Sequence, residues 1–341
     1  MMSMLLEEEV QAATPRGDLL RTEPRHRCPL CGGAGGLLHA DVPDHYFGVE
    51  GSWSLRRCRD RDCDLIWQDP MVVREDLGRA YEDYYTHSRD GRTTRTSLRP
   101  TIGAGFFRLD RWCTRLLSMQ PDRERFSHAY LDSGSAGALL DVGCGNGDFL
   151  SAMRPLGWSV RGTELDGNAA SIARSTHGLQ VDVGELRELG YPAASFDAVT
   201  ARHVIEHVRD AVPFVAECWR ILKPGGRLVL VTPNAASLGH RHFGRDWRGL
   251  EQPRHLFLYS PAAMGALLRR AGLPAADVFS TAQGAAYILR TSAVSPAVGG
   301  RSAWRRQLDR LAIWWLQYRE VAGIRSGLQV GEELVAIVRK A

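Results

Sequence analysis

No apolar run in this chain approaches the roughly 18 residues that a membrane-spanning helix requires, so a helical span is excluded. The opening Met1 to Val10 follows a few apolar residues at once with Glu7, Glu8 and Glu9, which is no secretory signal, and a cytoplasmic location is the expectation. Lysine is almost missing. Lys223 and Lys340 are the only two, so nearly all the positive charge is arginine, and a net charge of +4 over 341 residues is too small to argue for nucleic acid. The seven cysteines are an odd number scattered through an ordinary globular composition, which is not the framework of a disulfide-stapled secreted fold. None is needed, since the length suggests about two domains with a full core.

What is present centres on Leu139-Leu140-Asp141-Val142-Gly143-Cys144-Gly145-Asn146-Gly147-Asp148-Phe149-Leu150. An apolar run ending in an acid, glycines at every second position and an apolar segment of helical spacing read as strand, tight turn and helix, the opening of a nucleotide-binding α/β domain. Glycine keeps side chains out of the turn and tolerates positive φ there. A dinucleotide site wants glycine at position 148, where this chain has Asp148, so no diphosphate cradle is indicated. The pattern D-x-G-x-G-x-G resembles motif I of the class I S-adenosylmethionine (SAM)-dependent methyltransferases. That resemblance implies a seven-stranded, doubly wound, Rossmann-like α/β sheet, with Asp141, Gly143, Cys144, Gly145 and Gly147 beside the methionine and ribose portions of SAM.

The segments that follow extend the likeness. Val160–Leu165 reads as a second strand with Glu164 at its end, about 20 residues past the turn, where an acid accepts hydrogen bonds from ribose hydroxyls; Leu165 follows it. A helix over Ala169–His177 closed by Gly178, and a strand over Leu179–Val183, lead to Glu185 and Leu186, which the family places at the adenine. The run from Phe196 to Val208, with Arg202, His203, Glu206 and His207, resembles the family segment at the cofactor's methionine end, although Arg202 stands where an apolar or aromatic residue is expected. Asp210 is a candidate cap for a helix to Leu222, and Gly226–Val231 is a fifth strand. Residues 237–259 leave that strand on the cofactor edge and read as a substrate lid. It ends at Ser260 and Pro261, which start a helix that Gly272 closes. Ala276–Ser280 would be strand six. Residues 331–338 would be strand seven, antiparallel in the family, after a helical insertion over 285–328.

Ahead of this domain (132–341) lie a mobile tail (1–24), a cysteine-bearing unit (25–70) and a helical connector (71–131). Cys28 and Cys31, then Cys58 and Cys63, can supply four thiolates to one tetrahedral structural zinc. The wider second pair leaves His39 or His45 as alternative ligands, and free cysteines or a redox pair as alternative readings. With Tyr81, Tyr84 and Tyr85 behind it, this leader resembles that of methyltransferases of bacterial glycan and secondary-metabolite pathways, and 252–273 resembles glycan and quinone-type enzymes. A stripe of Trp304, Leu308, Leu311, Trp315, Tyr318 and Ala322 covers the protein's own core or a homodimer partner, or lies on a membrane surface over 302–322.

The reading is therefore a SAM-dependent methyltransferase with structural zinc, acting on a small hydroxylated acceptor, a sugar or glycan intermediate. The rivals are an rRNA methyltransferase and a non-catalytic SAM- or zinc-binding scaffold; no motif for nucleic-acid bases is present. His255 is the expected general base, oriented by Arg254 and Tyr259, with His203 as a second catalytic candidate. A backbone tie for the lid is the competing role for His255.

Overall fold

A computed structural model describes residues 19–81, 120–131, 136–293 and 303–341. In the leader, β1 (Thr22–Glu23) pairs antiparallel with β5 (Met71–Val72), so order begins before the cysteine unit. Between them β2 (Gly35–Pro43), β3 (Ser52–Cys58) and β4 (Ile66–Gln68) form an antiparallel meander, followed by a 3-10 helix over Arg74–Tyr81. Of the expected helical connector, residues 82–119, Tyr84 and Tyr85 among them, lie outside the described residues. A short helix α1 (Gln120–Ser127) precedes the main sheet.

Leu139–Val142 is buried without alternation, as a strand covered on both faces must be. It forms β6 (Ala138–Val142), with parallel neighbours β7 (Ser159–Glu164) and β9 (Phe196–Arg202). With β8 (Val181–Val183), β10 (Leu222–Pro233), β12 (Asp277–Thr281) and β13 (Glu333–Arg339), the order is β12-β13-β10-β9-β6-β7-β8. Only β13 runs antiparallel, between β10 and β12. The doubly wound seven-stranded sheet and its reversed last strand are as expected.

Helices α2 (Asp148–Met153), α3 (Gly167–His177), α4 (Ala211–Ile221), α5 (Leu238–Phe243) and α6 (Pro261–Arg270) fill the connections. Asp166 caps α3 and Ser260 caps α6 through their side chains, while Gly178 ends α3 in the left-handed region. Asp210 does not cap α4; its carboxylate pairs with Arg74 of the leader instead. The insertion folds as α7 (Ala285–Ala293) and α8 (Ala303–Arg325). Its inward face carries Ile313, Leu316, Glu320 and Val321, whereas Trp315 and Tyr318 of the expected stripe point outward and stack on each other. A residue pair three apart marks one helix face, and here that face is the solvent side. The side chains of Trp304, Leu308 and Leu311 lie outside the described residues.

The segment 237–259 is not a free-standing lid. Its β11 (Phe257–Leu258) joins β4 as the edge strand of the leader sheet, with Phe257 opposite Trp67. Gln68 Nε2 donates to Gln252 Oε1 at 2.6 Å, and Gln252 Nε2 donates to the carbonyls of Leu250 and His255, so both buried amides are partnered. Arg254 is 0% exposed, 2.9 Å from Asp44 of the leader and 3.4 Å from Glu251, with its guanidinium over the Phe47 ring. Arg248 pairs with the same Glu251 and lies over Tyr46. Removing one member of a buried pair strands the other charge, so Arg254→Met is expected to cost about 3–5 kcal/mol. Denaturant unfolding measures this, and an unchanged midpoint would show that the pair does not hold the leader down.

Candidate active site

The carboxyl ends of β6, β7 and β9 meet where the strand order reverses, the position at which open α/β sheets bind ligands. Gly143 (φ 71) and Gly145 (φ 55) both lie in the left-handed region. A Cβ on Gly143 would meet Val204 at 2.5 Å, whereas one on Gly145 would meet nothing within 4 Å. The open side of the turn is thus at Gly145. Gly147 (φ 84) sits against Ala173 of α3. The Cys144 side chain is buried against Gly162, so only its backbone faces the turn.

Glu164 is held before any ligand arrives. One carboxylate oxygen accepts from Gly145 N at 2.8 Å, the other from Leu165 N at 2.8 Å and Asp166 N at 3.1 Å. Leu165 beside it is 68% exposed, an apolar side chain that packing does not account for. These features fit SAM: a bare glycine face, a preset carboxylate for ribose hydroxyls and an apolar contact for a ring. Asp141 is buried, accepts from Thr200 Oγ1 at 2.6 Å, and burial pushes its pKa up to about 6 against that hydrogen bond. Glu185 pairs with Arg74 at 2.7 Å, and the Leu186 side chain is buried.

Arg202 occupies its unexpected place by stacking: its guanidinium lies 4.7 Å from the Phe149 ring centroid and 5.6 Å from that of Phe126. Next to it His203 takes a left-handed φ of 54° and is 45% exposed, the ring standing 3.5 Å from Glu206 and 3.7 Å from Glu333. Its surroundings disfavour the charged ring by desolvation, but Glu333 and Glu206 outweigh this and raise its pKa to about 9. Glu333, on β13, was invisible to local sequence reasoning because strand pairing alone brings it here.

His255 lies elsewhere. Its ring is buried, Nδ1 is 2.7 Å from the Gly249 carbonyl, and burial together with the neighbouring His207 lowers its pKa to about 4. That is the backbone-tie geometry, and an acceptor at the sheet edge would not reach the ring without displacing the seam. Tyr259 is buried too, with its pKa raised by desolvation. His255 was expected at the acceptor because the segment 237–259 leaves the cofactor edge, but Arg254 and Tyr259, the residues expected to orient it, are themselves buried with it.

In the leader, the sulfurs of Cys28, Cys31, Cys58 and Cys63 all lie within 4.8 Å of one another. Cys28 and Cys63 are 3.6 Å apart and Cys31 and Cys58 3.4 Å, close to the ~3.8 Å edge of a tetrahedron with metal–sulfur bonds of ~2.3 Å. Gly33 N points at Cys31 Sγ from 3.4 Å, as knuckle amides do toward thiolates. His39 faces His240 and His45 faces Asp246, so neither joins the cluster.

A family model for the methyltransferase domain matches residues 110–276. The ubiquinone biosynthesis O-methyltransferase of Xanthomonas axonopodis pv. citri is 35% identical over 175 residues, 48% of this chain and 73% of that protein. A probable SAM-dependent methyltransferase of Mycolicibacterium smegmatis is 34% identical over 149 residues, 43% of this chain and 56% of that one. Among solved structures, a SAM-dependent methyltransferase from Archaeoglobus fulgidus aligns at 16% identity and a TM-score of 0.43, covering 69% of this chain and 100% of the other. The chain belongs to the SAM-dependent methyltransferases.

The two glycines of the turn should respond differently to a methyl group. Gly143→Ala adds a clash with Val204 to the left-handed penalty and is expected to cost about 1–3 kcal/mol beyond Gly145→Ala. Gly145→Ala carries only the backbone penalty, about 1–2 kcal/mol. Thermal and denaturant unfolding of the two variants tests the order, and equal losses would contradict it.

Proposed function

We propose that this chain transfers the methyl group of SAM to a hydroxyl oxygen of a small acceptor, a sugar or glycan intermediate being the acceptor class that the leader suggests. The observation that carries the reading is His203, half exposed one residue past β9, on the same sheet edge as the glycine turn and braced by two carboxylates. Bound SAM supplies an electrophilic methyl on a sulfonium. Glu164 and the Gly145 face hold the ribose, Leu165 and the Leu186 backbone flank the adenine, and the β9 end with Arg202 meets the methionine. His203 takes the proton that the acceptor oxygen loses as the carbon–oxygen bond forms and the carbon–sulfur pair returns to sulfur. The positive charge brought in by the sulfonium favours the neutral ring that this step needs. The four cysteines hold one structural zinc, which supplies folding free energy, since four thiolates leave no open position for chemistry.

A phenolic hydroxyl is the second reading, supported by the ubiquinone-biosynthesis names of the relatives. Methyl-labelled SAM and fractionated extract separate the two: label in nucleotide sugars or glycolipid intermediates supports the first, label in quinone-type phenols the second. Label in RNA, or in nothing, would overturn both.

Glu164→Ala is expected to weaken SAM binding by about 1.5–3 kcal/mol in calorimetry, and unaltered affinity would remove Glu164 from the ribose site. His203→Asn is expected to keep SAM affinity and lower turnover by about 10²–10⁴-fold. Near-normal turnover would transfer the proton acceptor to another group.

A further inference from the structure

Behind His203, the carboxylate of Glu206 that braces it also belongs to a second cluster, whose two histidines have no part in this scheme. Glu206, His207 and His255 each offer a ligand atom, and the three atoms lie within 4.8 Å of one another. Glu206 is 0% exposed; Oε2 accepts from Thr232 Oγ1 at 2.9 Å, while Oε1 has no hydrogen-bond partner. A buried carboxylate oxygen without a hydrogen bond is costly, and His203 Nδ1 stands 3.5 Å away from it. The two imidazoles do not fill the gap. His207 Nδ1 is 3.0 Å from the Arg254 carbonyl and His255 Nδ1 is 2.7 Å from the Gly249 carbonyl. A carbonyl only accepts, so each Nδ1 carries the hydrogen and each Nε2 presents a lone pair. The Tyr81 hydroxyl also lies 2.8 Å from His207 Nδ1 and, with the hydrogen on that nitrogen, is in place to accept from it. With Nδ1 of each ring engaged by a carbonyl, the lone pair left to each imidazole is on Nε2, beside a buried carboxylate that has one oxygen without a hydrogen bond. Backbone carbonyls orienting the far nitrogen of each ring is also how metal-bound histidines are held.

We infer that Glu206, His207 and His255 form a second metal site, distinct from the four-cysteine cluster, for a divalent cation of the zinc class. Two imidazoles and one carboxylate suit zinc, iron, cobalt or nickel, whereas magnesium and calcium prefer oxygen alone. Glu251, whose carboxylate is 3.9 Å from His255 Nε2, is committed to Arg248 and Arg254 and stays outside the set. The ion would join the loop after β9 to the segment that carries β11. This inference does not depend on which acceptor is methylated.

Elemental analysis of the full-length chain, expressed with zinc in excess and freed of loose metal, is the direct test. Two equivalents per chain are expected, falling to one in Glu206→Gln and in His255→Ala while the cysteine-bound equivalent stays. Reconstitution with cobalt keeps the test decisive if a variant folds poorly. The wild-type chain should take up two equivalents, only one of them with the near-ultraviolet thiolate-to-cobalt absorption. Saturation of the wild type at one equivalent, or a second equivalent untouched by both substitutions, would overturn the site.

Discussion

Arg254 is a full positive charge with no access to water, and much of the molecule is arranged to make that tolerable. Its partners come from three directions: Asp44 from the leader loop, Glu251 from its own turn and the Ala80 carbonyl from the 3-10 helix. Removing any of these segments leaves a buried ion underpaired, which in protein interiors costs several kcal/mol. The leader and the methyltransferase sheet are therefore energetically one body. The apolar contacts agree, since Cys28, Cys63, Trp67 and Met71 share a continuous core with Leu230, Tyr259 and Met264.

That coupling explains why the segment after β10 is so well built. A loop leaving the ligand edge of an α/β sheet is usually free to vary, because loops sit on the surface where backbone groups find water. Here the loop is roofed by the leader, so its polar groups must be satisfied from within. Gln68, Gln252 and the carbonyls of Leu250 and His255 do this on one side. On the other, Glu332 accepts from Gly239 N and from Trp247 Nε1, tying α5 and the turn after it to the start of β13. The cofactor edge is left open mainly at the glycine turn, Glu164 and His203.

The parts of this architecture legible in the sequence were those written in local terms. The strand–glycine–helix unit, the Ser260 cap, the Gly178 terminus and the acid ending β7 each depend on residues close together in the chain, and each stands where periodicity and capping put it. The cysteine pairs were legible because ligand spacing is itself a local signal. What could not be read was nonlocal pairing. Arg248, Glu251 and Arg254 in a short run have the composition of a solvated surface, and only the leader's Asp44, Tyr46 and Phe47, some 200 residues earlier, turn that run into an interior. On α8 it is the smaller Ile313, Leu316 and Val321 that fit against the body, while Trp315 and Tyr318 remain outside, so for these two aromatics of the stripe the own-core alternative does not hold.

The histidines show the same rule acting on function. Three of them, His203, His207 and His255, lie on segments that sequence reasoning brings to one edge, and chemistry at neutral pH makes any of them attractive. Their environments separate them. His203 is lifted into the open by a left-handed backbone and faces carboxylates, whereas His207 and His255 are locked by backbone carbonyls at Nδ1 and packed 4.7 Å apart. A ring fixed in that way has given up the freedom to approach a substrate and kept only a directed lone pair. The hydrogen bonds each ring already makes thus separate one exposed ring at the sheet edge from two fixed rings behind it, on a stretch where residue type alone would have treated all three alike.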